Sequence, residues 1–284
     1  MRFACIDDGV PSETISLLRT ACDERGAEFV HLDARRFEFD LDAALEPGDA
    51  LYCPAVSVAA QRVEQFLATA WVASFHSHWT GAFFNPSAPP LIFQQLGLPT
   101  PRTLPLVSAD RDGLLTAVQR LGGFPVVVKL PGGSNGVGVL RADSPAALFS
   151  LADLLLAEGR NPFLSAYVAP AIHWRVVVVG GRAVAAYRNP TQPNDFRSTA
   201  SEAVEDYTAN PPAELGQLAL RAAEVLQTEF AGVDILEHDS GRLYLLEANF
   251  PCYFAQAQLA AGIDVAGAMI DHLKAKAARL AASD

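Results

Sequence analysis

Phe124-Pro125-Val126-Val127-Val128-Lys129-Leu130-Pro131-Gly132-Gly133-Ser134-Asn135-Gly136-Val137-Gly138-Val139 reads as a β-branched strand that carries an ammonium straight into a glycine-rich turn. Backbone N–H groups in such a turn can approach a polyphosphate closely, and Lys129 would neutralise an α- or β-phosphate. The lysine precedes the glycines. The order is therefore neither the G-x-x-x-x-G-K-[ST] of a P-loop nor the G-x-G-x-x-G of a dinucleotide fold. Taken alone, the stretch is as often an ordinary loop after a strand as a phosphate cradle.

A second cluster lies a hundred residues downstream. Asp234 stands inside the apolar run Gly232-Val233-Asp234-Ile235-Leu236, and Glu247 and Asn249 end the run Leu243-Tyr244-Leu245-Leu246-Glu247-Ala248-Asn249. Carboxylates in apolar strands are costly unless they are paired or hold a cation. Residues two apart share a strand face, so Glu247 and Asn249 point the same way, and Asp234 on a neighbouring strand can join them. An all-oxygen set suits Mg²⁺ or Mn²⁺ held jointly with phosphate oxygens. The plainer alternative is a set of carboxylates satisfied by backbone donors. Between the two clusters, Asn194-Asp195-Phe196-Arg197-Ser198-Thr199 offers Arg197 as a stabiliser of phosphoryl charge, although an arginine in a polar loop is more often simply solvated. Phe163-Leu164-Ser165-Ala166-Tyr167-Val168 reads as a buried strand that can present backbone groups to an adenine edge.

Around these clusters the pattern is mixed helix and strand. Strands at Phe3 to Ile6, Phe29 to Leu32 and Ala50 to Cys53 alternate with helices at Ser12 to Arg25 and Val58 to Val72, which predicts a small parallel α/β unit over 1–85. A proline-rich junction, Asn85-Pro86-Ser87-Ala88-Pro89-Pro90, opens a central lobe over 86–165. A hairpin at Trp174 to Arg188, a helix at Ala213 to Thr228, the two carboxylate strands and a last helix from Asp264 to Leu280 form a third unit over 166–284. Asp7 and Asp8, at the end of the first strand, are expected to cap the helix that follows.

The bulk numbers exclude several classes. A net charge of −11 argues against a nucleic-acid binder, and no apolar run reaches the ~20 residues of a membrane span. Met1-Arg2-Phe3-Ala4-Cys5-Ile6 is too short and too soon acidic for a signal peptide, so a cytoplasmic location is expected. Cys5, Cys22, Cys53 and Cys252 form no C-x-x-C pair and read as reduced, apolar fillers.

In order and spacing these elements resemble the ATP-grasp superfamily, most closely the RimK-type ligases. The likeness runs from about Leu91 to the C-terminus. It covers Leu96-Gly97-Leu98-Pro99-Thr100-Pro101-Arg102-Thr103, the lysine with its glycine loop, Trp174-Arg175 with Val176 to Val179, Phe196-Arg197-Ser198, Gly232-Val233-Asp234, and Glu247-Ala248-Asn249-Phe250-Pro251. The resemblance implies an ATP-grasp fold with a small Rossmann-like N-terminal domain and a nucleotide held between two lobes. Lys129, Gly132, Gly133, Ser134, Asn135, Gly136 and Gly138 would then hold ATP phosphates, and Ser165, Ala166, Tyr167 and Val168 would form the adenine hinge. Arg197 would bind the γ-phosphate or acyl phosphate, with Ser198 beside it. Asp234, Glu247 and Asn249 would hold two magnesium ions. His173 takes the place of the acidic residue that usually meets the ribose. A lysine usual near Asn85-Pro86 is missing, Thr199 replaces an asparagine, and Arg188 lies one place from the usual second arginine.

The implied reaction has two steps. A carboxylate attacks the γ-phosphate of ATP to give an acyl phosphate and ADP, and an amine then displaces phosphate to leave an amide. The substrates would be small-molecule or peptide carboxylates and amines, with room for a homo-oligomer. A non-catalytic ATP-binding module and a phosphotransferase on the same fold are the competing readings.

Overall fold

The computed structural model describes residues 1–40, 45–84, 89–131, 136–191 and 194–282. Three sheets organise the chain. Strands β1 (Arg2–Asp7), β2 (Glu28–Asp33) and β3 (Ala50–Tyr52) pair in parallel in the order β2-β1-β3. Alternation along β1 sends Phe3 and Cys5 to one face and Ala4 and Ile6 to the other. The first pair packs on Leu18, Ala21 and Cys22 of helix α1 (Ser12–Glu24). The second packs on Ala60 and Val63 of helix α2 (Val58–Leu67). Helix α2 stops well before Val72, because Ala73 is drawn into two backbone hydrogen bonds beside β3, Leu51 N to Ala73 O and Ala73 N to Asp49 O. That pairing outweighs the helical spacing.

Neither strand-end aspartate caps α1. Pro11 holds the cap position without a side-chain bond. Asp7 instead accepts from Val10 N and meets His31 Nε2 at 2.9 Å, and Asp8 pairs with Arg35 at 2.5 Å. Side chains of the neighbouring segment, the His31 imidazole and the Arg35 guanidinium, take up these carboxylates in place of the free helix N–H groups.

Helix α3 (Pro89–Gln95) leads to a four-stranded antiparallel sheet, order β4-β7-β5-β6, from β4 (Thr103–Pro105), β5 (Val126–Lys129), β6 (Val139–Ala142) and β7 (Phe163–Ala166). Val126, Val128, Leu164 and Ala142 turn to one face and bury against helices α4 (Arg111–Leu121) and α5 (Pro145–Ala157). Lys129, Val127, Val139, Arg141 and Ser165 occupy the opposite face by cross-strand register.

The remaining strands, β8 (Ala171–Val179), β9 (Arg182–Asn189), β10 (Tyr207–Thr208), β11 (Phe230–His238) and β12 (Leu243–Asn249), form an antiparallel sheet in the order β10-β9-β8-β11-β12. Its Val176, Val178, Val233 and Ile235 face helix α6 (Ala213–Val225). Phe93 of α3 and Leu98 join that same core, so the start of the central segment is packed on the third unit. The other face divides along its length. At one end Val177, Val179 and Phe230 share a core with Phe3, Tyr52 and Phe75 and with helices α7 (Ala255–Ala261) and α8 (Val265–Ala281). At the other end the face carries His173, Arg175, Asp234 and Glu247. Among the described residues no helix is long and apolar enough to cross a membrane.

Candidate nucleotide and metal site

Register explains why the polar residues of the five-stranded sheet converge. Asp234 lies directly opposite Arg175 on β8 and Glu247 on β12, and directly paired residues in an antiparallel ladder point the same way. A bulge after Asp234 shifts the pairing, so that Ile235 faces Leu245, and the local twist rises there. Arg175 Nε stands 3.3 Å from Asp234 Oδ1, and its Nη1 donates to Gly232 O at 2.9 Å. A Cβ at Gly232 would lie 2.8 Å from Arg175 Nη1 and 2.9 Å from Cys252 Cβ, so glycine is required for that approach.

The charges in this row shift one another. Burial alone would push the Asp234 carboxyl up, but Arg175, then His173, hold it at about 2. Burial raises Glu247 above the ordinary range, and the adjacent Asp234 raises it further. Burial lowers the Lys129 ammonium, while Glu247 and then Asp234 pull it back up. Lys129 belongs to the four-stranded sheet and the carboxylates to the five-stranded one. The two clusters therefore face each other across the gap between the sheets and interact through it. Asn249 Nδ2 donates to Glu247 Oε1 at 2.7 Å, which orients that carboxylate.

Asp234 Oδ1 and His173 Nε2 lie 3.2 Å apart, yet both are buried without an aligned hydrogen bond. His173 Nδ1 contacts Ser198 Oγ, so the two residues that stood apart as nucleotide positions form one unit beside Asp234. Among the described residues, no three His, Cys, Asp or Glu side chains converge on one metal position. Asp234, Glu247 and Asn249 offer only oxygen donors from two carboxylates and an amide, a set whose chemistry suits a hard divalent cation that keeps several ligands for phosphate or water.

Arg197 lies in the loop after β9. Its Nη2 pairs with Asp195 at 2.6 Å and its Nη1 donates to Gly136 O at 3.1 Å. Gly136, at φ +75°, packs so closely that a Cβ would sit 3.0 Å from Arg197 Cδ. The end of the glycine loop and the arginine loop are thus in contact, and Gly138 O accepts from Leu130 N. Gly132, Gly133, Ser134 and Asn135 lie outside the described residues, as does the Asn85-Pro86 position.

In the hinge, Ser165 Oγ is buried and bonded to Thr103 Oγ1 at 2.8 Å, so its side chain is occupied with structure. Ala166 N donates to Arg102 O. Tyr167 carries Arg141 over its ring at 4.8 Å and meets the Phe196 ring edge-on at 6.2 Å. With Val139, Thr191 and Arg197 these residues line an open groove of about 680 Å³. Val168 follows, before β8.

Arg175 was not among the site residues read from the sequence. The available signal was its i,i+2 spacing from His173 in an apolar strand, which puts both on one face. Cys252 stays buried beside Arg175 and Gly232. Burial pushes its thiol up to about 12, as expected of an inert filler.

A family model described as a RimK-like ATP-grasp domain matches residues 91–273. A probable alpha-L-glutamate ligase of Aeromonas salmonicida is 34% identical over 172 residues, 60% of this chain and 56% of that protein. One from Rhodopirellula baltica is 32% identical over 169 residues, 59% of this chain and 42% of that protein. The chain spans about half the length of the curated relatives it matches. Among solved structures, the ATP-grasp ligase PsnB complexed with minimal precursor, Mg and ADP superposes with a TM-score of 0.73 at 17% identity, covering 97% of each chain. The D-alanine–D-alanine ligase of Bacillus anthracis complexed with ATP gives 0.69 at 18%, covering 100% of this chain and 99% of the other. A RimK domain protein of Sphaerobacter thermophilus gives 0.66 at 21%, covering 96% and 99%. These likenesses establish the ATP-grasp fold.

Proposed function

Because this chain belongs to the RimK-like ATP-grasp family, we propose that it is an ATP-dependent carboxylate–amine ligase acting on a small-molecule or peptide acid. The observation that carries the reading is the electrostatic coupling of Lys129, on one sheet, to Asp234 and Glu247 on the other. A triphosphate needs both at once, a cation to grip it and carboxylates to hold its metal. The relatives named as glutamate ligases and the neighbour solved with a peptide precursor, Mg and ADP support the same chemistry.

In this reading Lys129 binds α- or β-phosphate oxygens and the Gly136 to Gly138 turn covers them. The backbone of 165–168 receives the base. Asp234, Glu247 and Asn249 hold divalent cations, two in the fullest form of the proposal, with Mn²⁺ as a substitute for Mg²⁺. When bound, such cations neutralise phosphate charge as it moves to the leaving ADP. Arg197, tethered to Gly136 O and Asp195, is placed to exchange those partners for the γ-phosphate or the acyl phosphate. The substrate carboxylate attacks γ-phosphorus and the bond to the β-bridging oxygen breaks. The amine then adds to the acyl carbon and phosphate leaves.

The test is ADP release from Mg-ATP over a panel of acids, with and without amines. A ligase releases ADP and phosphate and yields an amide only when acid and amine are both present. A phosphorylated product made without amine would identify a phosphotransferase, and ATP binding without turnover over the whole panel would refute catalysis.

A further inference from the structure

Two arginines and two aspartates line the groove beside the hinge, and each arginine is held by the aspartate two residues away. Arg141 donates from Nε and Nη2 to Asp143 Oδ1, at 2.8 and 2.5 Å. Arg197 donates from Nε to both Asp195 oxygens at 2.9 Å and from Nη2 to Oδ2 at 2.6 Å. Its backbone N adds a fourth bond, to Asp195 Oδ1 at 3.0 Å. The two arginine charges are thus cancelled within the wall of the groove itself.

The pair that matters for phosphate is the one on Arg197. Its side chains are 42% and 31% exposed, and an ion pair so open to water adds little to folding stability. Its effect falls instead on what else can reach the arginine. A carboxylate fixed so near its partner competes at an effective concentration on the order of millimolar or more. An acid from solution offers Arg197 the same two oxygens and the same single charge that Asp195 already supplies. Exchanging one carboxylate for the other gains no charge, and the free acid also gives up translational freedom. A γ-phosphoryl group offers three oxygens and more charge, and it arrives tethered to the rest of the nucleotide.

We propose that Asp195 is a built-in competitor for Arg197 that the γ-phosphate of Mg-ATP displaces and a substrate carboxylate does not, so that the site fills with nucleotide before acid. The inference rests on the ligase reading above and deepens it by assigning an order of binding. The order matters because the acid must attack γ-phosphorus. An acid already lodged on Arg197 would hold the place of the group it has to meet.

The experiment titrates Mg-ATP and Mg-ADP calorimetrically into the wild-type chain, Asp195→Asn and Asp195→Glu, each with and without acetate at constant ionic strength. Asparagine keeps an oxygen for the backbone N of Arg197 and removes the competing charge, whereas glutamate keeps the charge. An exposed ion pair corresponds to roughly a two- to fivefold change in an equilibrium constant. Asp195→Asn should tighten Mg-ATP by about that factor and leave Mg-ADP, which has no γ-phosphate, unchanged. Acetate should then weaken Mg-ATP binding to Asp195→Asn and leave the wild type and Asp195→Glu unaffected. Weaker Mg-ATP binding by Asp195→Asn would make Asp195 a support for Arg197 and overturn the proposal. Equal shifts for the two nucleotides, or no shift in either, overturn it as well. Any of those results in a chain that binds ATP removes this inference alone, whereas a wild type that binds neither nucleotide overturns the ATP reading first.

Discussion

Lys276 offers a measurement of how firmly the N-terminal unit is held against the sheet that carries the carboxylates. It lies on α8, and its ammonium donates to Ser74 O at 2.9 Å, His76 O at 2.7 Å and Glu229 Oε2 at 2.7 Å. All three donors are used, and Glu229 Oε2 also meets His272 Nε2 at 2.8 Å. Lys276→Met keeps most of the stem and removes the charge. Two backbone carbonyls of the N-terminal unit then lose their donor, and Glu229 keeps only the histidine. Removing one partner of a charged hydrogen bond costs about 1.5–3 kcal/mol, and breaking a fully buried pair about 3–5 kcal/mol. The lysine side chain is 12% exposed and the glutamate 25%, between those cases, so a loss of about 3 kcal/mol is expected. Urea unfolding at pH 7, followed by circular dichroism and tryptophan fluorescence, measures it. The midpoint should fall, and a second transition should separate if the N-terminal unit undocks first. A loss under about 0.5 kcal/mol with one unchanged transition would mean that water already satisfies those carbonyls and the junction does not depend on the lysine.

Four further outcomes follow from the same structure. Lys129→Met should weaken Mg-ATP binding by roughly 10- to 100-fold without lowering the thermal midpoint, because it removes a half-buried ammonium as well as a phosphate contact; calorimetric titration reads it. Glu247→Gln should cut ADP formation by at least about 100-fold, and unchanged turnover would remove this residue from the metal site. Gly136→Ala places a side chain at φ +75° and 3.0 Å from Arg197 Cδ, whereas Gly159→Ala meets a similar φ of +70° in open space. Both should lose about 1–2 kcal/mol of stability, but only Gly136→Ala should also slow turnover, by about tenfold. Glu229 is opposed by burial but held below the ordinary glutamate range by His272 and Lys276, so its ion pairs stabilise the fold above that range and are lost as pH falls through its folded pKa. Glu229→Gln should flatten that acid limb of the stability curve, which urea titrations from pH 6 to pH 3 would follow.

Much of the fold was legible because its strands obey simple alternation and its helices obey simple spacing. The runs 126–129, 174–179 and 232–236 carry valine or isoleucine at alternating positions, and in the structure their two faces part cleanly between helix layers and site. Helix α4 was not read from the sequence: Gly113 in its first turn weakens the helical pattern, and Asp110 accepts from Gly113 N and caps the helix. Strand β6 was hidden because the glycine stretch runs into it without a break. At the site, the glycine loop marked Lys129, and carboxylates set in apolar strands marked the oxygen trio. Spacing alone could not show that Arg175 keeps Asp234 ionised. That depends on a three-strand register formed by segments about sixty residues apart, which no local pattern records. The link between His173 and Ser198 is non-local in the same way.

The charge arrangement also bears on which form of a nucleotide the site would accept. Asp234 and Glu247 stand side by side on adjacent strands, where like charges repel. Arg175 compensates Asp234 at 3.3 Å, and Lys129 is the cation that both carboxylates pull on from across the gap. Two carboxylates against two cations leave little net attraction for a free triphosphate, which carries several negative charges of its own. A basic pocket would take any polyphosphate, whereas this one would press carboxylates against phosphate oxygens unless countercharge arrived with the ligand. Divalent cations would remove both penalties together, because they would offset the Asp234 and Glu247 carboxylates and cancel phosphate charge at the same place. Under the proposed function, the carboxylates therefore act as a selection device as well as a metal cradle. They reject the bare nucleotide and admit the metal complex, and Arg175 makes that possible by keeping Asp234 charged in a place where burial alone would have neutralised it.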